Sequence, residues 1–214
     1  MIHPETCLQF INNEIGYGVF AKKFIPKGTI VYVRDELEVT IPHDSHLLND
    51  DYYSEILEKY SYVGSNGEYI LSWDFGRFVN HSCEPNTIST GYGFEIAIRN
   101  ILAGEQITDD YGMFNLKEAM DCYCGVNCCR KTISPKDFQD WHSQWDLLAR
   151  EAIREINSVE QPLMHLLERD AYNSLLTFIN TGVDYLSVCL LQSDINTGAA
   201  KISSVKNTKT IRKS

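Results

Sequence analysis

Between positions 122 and 129 the chain reads Cys-Tyr-Cys-Gly-Val-Asn-Cys-Cys, which places four of its seven cysteines in eight residues. Packing needs alone do not concentrate thiols in this way. The total is odd, with Cys7, Cys83 and Cys189 elsewhere, and the first residues, MIHPETCLQF, show no basic region leading into an apolar run. A disulfide framework and a secretory signal are therefore not expected, and metal binding is the better reading. The spacing Cys122-x-Cys124-x4-Cys129 supplies three thiolates, and zinc takes four soft ligands in a closed tetrahedron. Cys83 is the distant candidate for the fourth. Cys128 competes with Cys129, because adjacent cysteines point apart on most backbones. An ion held by four protein ligands is structural, and folding of the segment it closes depends on it.

Cys83 lies in a second unusual stretch, Gly76-Arg-Phe-Val-Asn-His-Ser-Cys-Glu-Pro-Asn86. A polar run this dense, ended by Pro85, reads as a site or a surface turn, not as a core strand. Upstream, Gly16-Tyr17-Gly18 lets a backbone approach a ligand closely. A hairpin turn is the plainer alternative. The remaining glycines of a dinucleotide fingerprint are missing, so a Rossmann unit is rejected. Downstream, Asp109-Asp110-Tyr111-Gly112 follows the turn Ala103-Gly104-Glu105.

The first ~130 residues carry short β-branched or alternating runs at close spacing, at 7–11, 29–33, 37–41, 68–73, 94–98 and 107–111. They predict a mainly β core. Weak helical character appears only around Tyr52–Tyr60. The pattern changes at Ser134-Pro135-Lys136-Asp137, a helix-start signature. Phe138, Trp141, Trp145, Leu148, Ala152 and Ile156 then recur at steps of three and four as the apolar stripe of an amphipathic helix. A second helix is expected after Ser158-Val-Glu-Gln-Pro162, with Leu163, Leu166 and Leu167. A third carries Tyr172, Leu175, Leu176 and Ile179. The aromatic stripe is expected to pack in a core. Residues 195–214 are polar and basic, and are expected to be disordered.

Four motifs in this order resemble a SET-domain protein lysine methyltransferase with a post-SET zinc-binding segment: Gly16-Tyr17-Gly18, Arg77 through Cys83, Gly104 through Gly112, and the cysteine cluster. The resemblance covers roughly residues 6–131. It implies the fold, small curved β-sheets around a threaded (pseudoknot) segment in which the Asn-His stretch passes under a loop. It also implies S-adenosylmethionine as methyl donor. On that match Gly16, Tyr17 and Gly18 contact the donor's amino-acid end, and Asn80 and His81 hold its adenine and ribose side, with Arg77 nearby. Tyr111 is the active-site tyrosine. Cys83, Cys122, Cys124 and Cys129 are the zinc ligands. Many members carry a further channel tyrosine late in the strand after the Pro-x-Gly turn. That position holds Arg34 here, with Tyr32 on the same strand face.

The expected organisation is a SET domain at 1–117, a post-SET zinc segment at 118–133, a C-terminal helical unit at 134–194 and a basic tail at 195–214. Net charge is −10 although the last 14 residues are rich in Lys and Arg, so the body is strongly acidic. That argues against nucleic acid as the main partner and fits a lysine in a basic protein segment, histone-like or otherwise. No apolar run approaches the ~20 residues of a membrane span. A soluble intracellular protein is expected, in nucleus or cytoplasm or delivered into a host cell, with homodimerisation through residues 134–192 left open. The alternative is a non-catalytic, zinc-stabilised interaction module of the same fold.

Overall fold

Residues 1–193 are described by the computed structural model; the expected basic tail at 195–214 lies outside the described residues. β1 (Thr6–Asn12) and β2 (Gly16–Ala21) form an antiparallel hairpin. Gly16 lies at its tip with φ +84°, a backbone region that costs a glycine nothing. The plainer reading of this motif as a hairpin therefore describes its backbone. β3 (Ile30–Val33), β8 (Thr87–Ser89) and β9 (Phe94–Ala97) make a three-stranded antiparallel sheet in the order β3-β9-β8. Their branched and aromatic side chains are nearly all buried. β4 (Val39–Ile41), β5 (Ser61–Val63) and β6 (Tyr69–Leu71) make a second sheet in the order β4-β6-β5. Leu37, expected in β4, stands outside it and is 62% exposed. There Asp35 Oδ1 accepts the Leu37 N–H at 2.8 Å, and that side-chain turn replaces strand pairing. A short helix α1 (Ser54–Tyr60) leads into β5.

The Asn-His stretch forms β7 (Asn80–His81), paired in parallel with β10 (Thr108–Asp109). A parallel pair cannot be joined by a tight turn, and the intervening chain makes the β8–β9 hairpin before returning. Asn86, fully buried, locks the crossing. Its Nδ2 donates to the Gln106 carbonyl at 2.7 Å, and its Oδ1 accepts the Thr108 N–H at 2.9 Å. The small ribbon of β11 (Met120–Asp121) and β12 (Thr132–Ile133) brackets the cysteine loop.

Helix α2 (Asp137–Ile153) starts two residues later than its Ser-Pro signature suggests. Ser134 accepts Lys136 N–H at its hydroxyl and Asp137 N–H at its carbonyl, so it closes a lead-in turn instead. Phe138, Trp145, Ala149, Ala152 and Ile153 are buried against Ile30, Ile88, Phe94 and Ile96 in one core. Trp141 leaves the expected stripe: it is 42% exposed, and its ring packs under the Arg130 guanidinium at 5.6 Å. The helix expected after Pro162 is absent; only a single 3₁₀ turn, Met164–Leu166, forms there. The chain is instead tied to the sheet. Gln161 Oε1 accepts the Ile30 N–H at 2.9 Å, and its Nε2 donates to the Gly28 carbonyl at 2.7 Å. Gly28 itself has φ +90°, and a Cβ there would lie 2.7 Å from the Glu155 side chain. Helix α3 (Arg169–Thr181) buries Leu175 and Phe178 and ends at Gly182 in the left-handed conformation, a common C-terminal stop.

Candidate active site and metal centre

The parallel β7–β10 pair carries most of the motif residues to one place. Asn80 Nδ2 donates to the Tyr17 carbonyl at 3.0 Å, joining the Gly-Tyr-Gly hairpin to the Asn-His strand. A Cβ on Gly18 would come within 3.0 Å of Asn80 Nδ2 and 2.7 Å of Gln106 Nε2, so a side chain there would push these two amides aside. The Tyr17 ring also meets Phe78 edge-on at 6.0 Å. On the other side of Asn80, the His81 Nδ1 accepts the Tyr111 backbone N–H at 3.2 Å. The Tyr111 hydroxyl donates to the Val79 carbonyl at 2.7 Å. Burial is the main cause that pushes the Tyr111 phenol above its ordinary value, with Asp109 and Glu95 adding to it. The phenol is therefore a neutral dipole at physiological pH.

Tyr111 opens onto a cleft of about 790 Å³ that also touches Arg77, Val79, Phe114 and three tyrosines of the sheets, Tyr32, Tyr62 and Tyr69. Arg77 alone of the sequence-assigned donor-binding residues lines this cleft; Gly16, Tyr17, Gly18, Asn80 and His81 are not part of its wall. Tyr32 is buried, and its hydroxyl bonds Glu38 at 2.5 Å and Ser72 at 2.8 Å. Arg34 turns away to Glu68 and Thr40, at 3.3 and 3.4 Å. The guanidinium does not fill the cleft, and Tyr32 supplies the aromatic wall from that strand.

Three of the four expected cysteines, Cys83, Cys122 and Cys124, group with His81, and Cys129 meets this group at Cys122. Cys83 and Cys122 sulfurs are 3.7 Å apart and those of Cys129 and Cys122 3.6 Å, while Cys83, Cys122, Cys124 and the His81 ring offer donor atoms within 4.8 Å of one another. Cys128 is exposed and outside the group. The sulfurs accept backbone N–H bonds suited to thiolates: Arg130 to Cys83 at 3.3 Å, Cys83 to Cys124 at 3.5 Å and Lys131 to Cys129 at 3.4 Å. Burial alone would raise the Cys124 thiol, but the N–H groups of Cys83 and Val126 outweigh it and bring it down to about 7. His81 is a candidate ligand that spacing did not suggest. Burial lowers its imidazole to about 4, so the ring is neutral. Because Nδ1 accepts from Tyr111, the hydrogen-bond network assigns the proton to Nε2, which faces Cys83 at 3.3 Å. Three thiols, with either Cys129 or the His81 ring as the fourth donor, make a set of the kind zinc takes in closed structural sites.

Arg130 follows the cluster directly and binds it to the rest. Its guanidinium meets Asp110 at 2.5 Å and Asp137 at 2.9 Å, all three side chains being largely buried. Asp110 also accepts from Gly112 N–H at 3.0 Å and Trp145 Nε1 at 3.1 Å. The cysteine loop, the Tyr111 turn and helix α2 thus share one carboxylate. Sequence reading missed this hub, since nothing in the spacing of Arg130, Asp110 and Asp137 links them.

The SET domain family profile matches residues 16–112. The chain carries a SET domain. Two curated relatives align with it. A putative histone-lysine N-methyltransferase ASHH4 of Arabidopsis thaliana is 29% identical over 140 residues, covering 56% of this chain and 37% of the relative. An H3 lysine-36 specific histone-lysine N-methyltransferase of Schizosaccharomyces pombe is 31% identical over 157 residues, covering 67% and 19%. The chain thus spans well under half the length of these two relatives. The crystal structure of the methyltransferase domain of human SETMAR aligns with a TM-score of 0.40 at 20% identity, over 62% of this chain and 58% of that one. Within the matched SET domain lie Gly16, the β7–β10 pair and Tyr111; the cysteine loop follows it.

Proposed function

We propose that this chain is an S-adenosylmethionine-dependent protein-lysine methyltransferase acting on a lysine in a basic, histone-like segment. The observation that carries the reading is the placement of the Tyr111 phenol, held by the Val79 carbonyl, on an aromatic-walled cleft beside the β7–β10 crossing. The named activity of the SET-domain relatives supports it. When bound, S-adenosylmethionine supplies a methyl group on a positively charged sulfur. The lysine amine would accept that methyl on its nitrogen and give one proton to water over the reaction.

The residues present fit such a donor. Gly18 lets Asn80 and Gln106 pack closely against the hairpin. Tyr17, Asn80 and Arg77 border the site with carbonyl, amide and guanidinium groups, and Asn80 fixes the Tyr17 carbonyl in place. Tyr32, Tyr62 and Tyr69 supply an aromatic wall along which the amine would approach Tyr111, and the positive sulfur of the donor would favour the amine's neutral, nucleophilic form. Tyr111 keeps its proton and orients the amine through its oxygen lone pairs; it is not the base. Zinc would be held by Cys83, Cys122, Cys124 and Cys129 and would take no part in the transfer. The acidic body draws a basic segment toward the cleft. Among the described residues no helix is long and apolar enough to cross a membrane. A histone-like target places the protein in a nucleus.

The test is transfer of radiolabelled methyl to mixed histones and whole lysate. Label on lysine is expected from the parent, and on the order of 10²-fold less from Tyr111→Phe, the usual loss for one orienting hydrogen-bond group. Equal labelling by both would remove Tyr111 from the mechanism, and no label from the parent would remove the reading itself.

A further inference from the structure

A pair of acids lies in the cleft, and nothing described so far uses it. Glu95 is the one charged residue of β9, a strand whose other members, Phe94, Ile96 and Ala97, are all buried. Register sets Glu95 opposite Tyr32 on one neighbouring strand and Ser89 on the other. Asp109, fully buried on β10, stands two residues before Tyr111. Its carboxylate accepts the Asp110 N–H at 2.6 Å and the Ser89 hydroxyl at 3.4 Å. Burial raises both carboxyls above their ordinary values, and the two act on each other, which favours a shared proton.

No cation among the described residues forms an ion pair with either acid, and the N-terminal ammonium acts on Glu95 only through its field. Among the described residues the ion pairs join other partners, and the nearby Arg34 is taken by Glu68. Both acids nevertheless line the same cleft as Tyr111, Tyr32 and Tyr62. Glu95 also lines a smaller cavity of about 110 Å³ behind Tyr32 and Tyr62. A buried acid pair with no ion-pair partner is costly to keep. A cationic or N–H-rich guest would offset that cost.

We propose that Glu95 and Asp109 form the amine-recognising floor of this channel and restrict the product to monomethyl-lysine. The inference rests on the methyltransferase reading. A primary amine ready for transfer presents a lone pair to the donor and two N–H bonds to the floor. After one methylation a single N–H remains, and after two none does. Each added methyl removes a donor and sets an apolar group against a buried carboxyl, at a cost of roughly tenfold or more in rate.

The experiment uses the full chain, with Glu95→Leu to make the floor apolar and Glu95→Gln to keep its shape. One arm reads the methylation state of histone lysines by mass spectrometry. The other follows binding of n-butylamine and of N,N-dimethylbutylamine by NMR. The parent should yield monomethyl-lysine only and prefer the primary amine about tenfold. Glu95→Leu should yield di- and trimethyl-lysine and lose that preference. Trimethyl-lysine from the parent, or an unchanged product and amine preference in the variants, overturns the proposal. If the parent transfers no methyl yet prefers the primary amine, the methyltransferase reading fails and the amine site stands. If it does neither, both fail. Should Glu95→Leu melt at low temperature, Glu95→Gln gives the deciding comparison.

Discussion

Asn80 and Tyr17 meet across two motifs 63 positions apart, the Asn80 amide donating to the Tyr17 carbonyl at 3.0 Å. The bond fixes a backbone carbonyl that a side-chain deletion would release. Asn80→Ala is expected to weaken S-adenosylmethionine binding by about tenfold while costing only about 1 kcal/mol of stability. Calorimetric titration and a melting curve on the same sample separate the two effects. An unchanged affinity would take Asn80 out of the donor site.

Arg130 holds two buried carboxylates at once, those of Asp110 and Asp137. Removing it leaves both unpaired. Arg130→Met should destabilise the chain by about 3–5 kcal/mol, as breaking a buried ion pair does. Adding Asp137→Asn should recover part of the loss, because one of the stranded charges is gone. Chemical denaturation of the parent and both variants measures this.

The thiol cluster around Cys122 predicts a bound zinc ion. Metal analysis should find it in the parent and in Cys128→Ser, whose side chain is exposed, and should find it depleted in Cys122→Ser. A strong chelator should lower the melting temperature and loosen residues 118–133 first, since a structural zinc contributes to folding free energy directly. Full metal content in Cys122→Ser would exclude the proposed ligand set.

Glu95 titrates where carboxylates seldom do. Burial raises it from 4.5 to about 7, and the bond to Asp109 only partly offsets this. The groups acting on it are Asp109, Tyr32, Tyr62 and the N-terminal ammonium, which pulls it down, with Glu38 adding negative charge. Because the folded-state value is the higher one, the folded chain binds the extra proton. Stability from this group is full below pH 4.5 and is lost as pH climbs through about 7. Melting temperature should therefore fall between about pH 5 and about pH 8 in the parent, and fall less in Glu95→Gln. Parallel curves would mean that no such proton is held.

Much of this site could be read from the residues, because the motifs are local and chemically specific. Gly-Tyr-Gly, Asn-His-Ser-Cys and the cysteine cluster each announce a backbone or ligand requirement by type and spacing. The strands at 30–33 and 94–97 followed from β-branched and alternating runs. What stayed hidden depends on partners far away in the chain. Trp141 fits the helical stripe, yet it faces Arg130 because α2 rotates that position out of the core. Leucines at 163–167 mimic a helix, but Gln161 commits its amide to the edge of β3 and the chain stays irregular. Glu95 gave one faint signal, a charge inside an otherwise apolar strand. Its meaning required Asp109 beside it.

The core that joins Ile88, Phe94 and Ile96 to Phe138, Trp145 and Ala149 has a practical corollary. A fragment trimmed to residues 16–112 would bare the back of the β3-β9-β8 sheet and strip Asp110 of Trp145 and Arg130. It should aggregate when expressed. Any attempt to transplant this catalytic centre into another protein must carry the downstream helices along as its ballast.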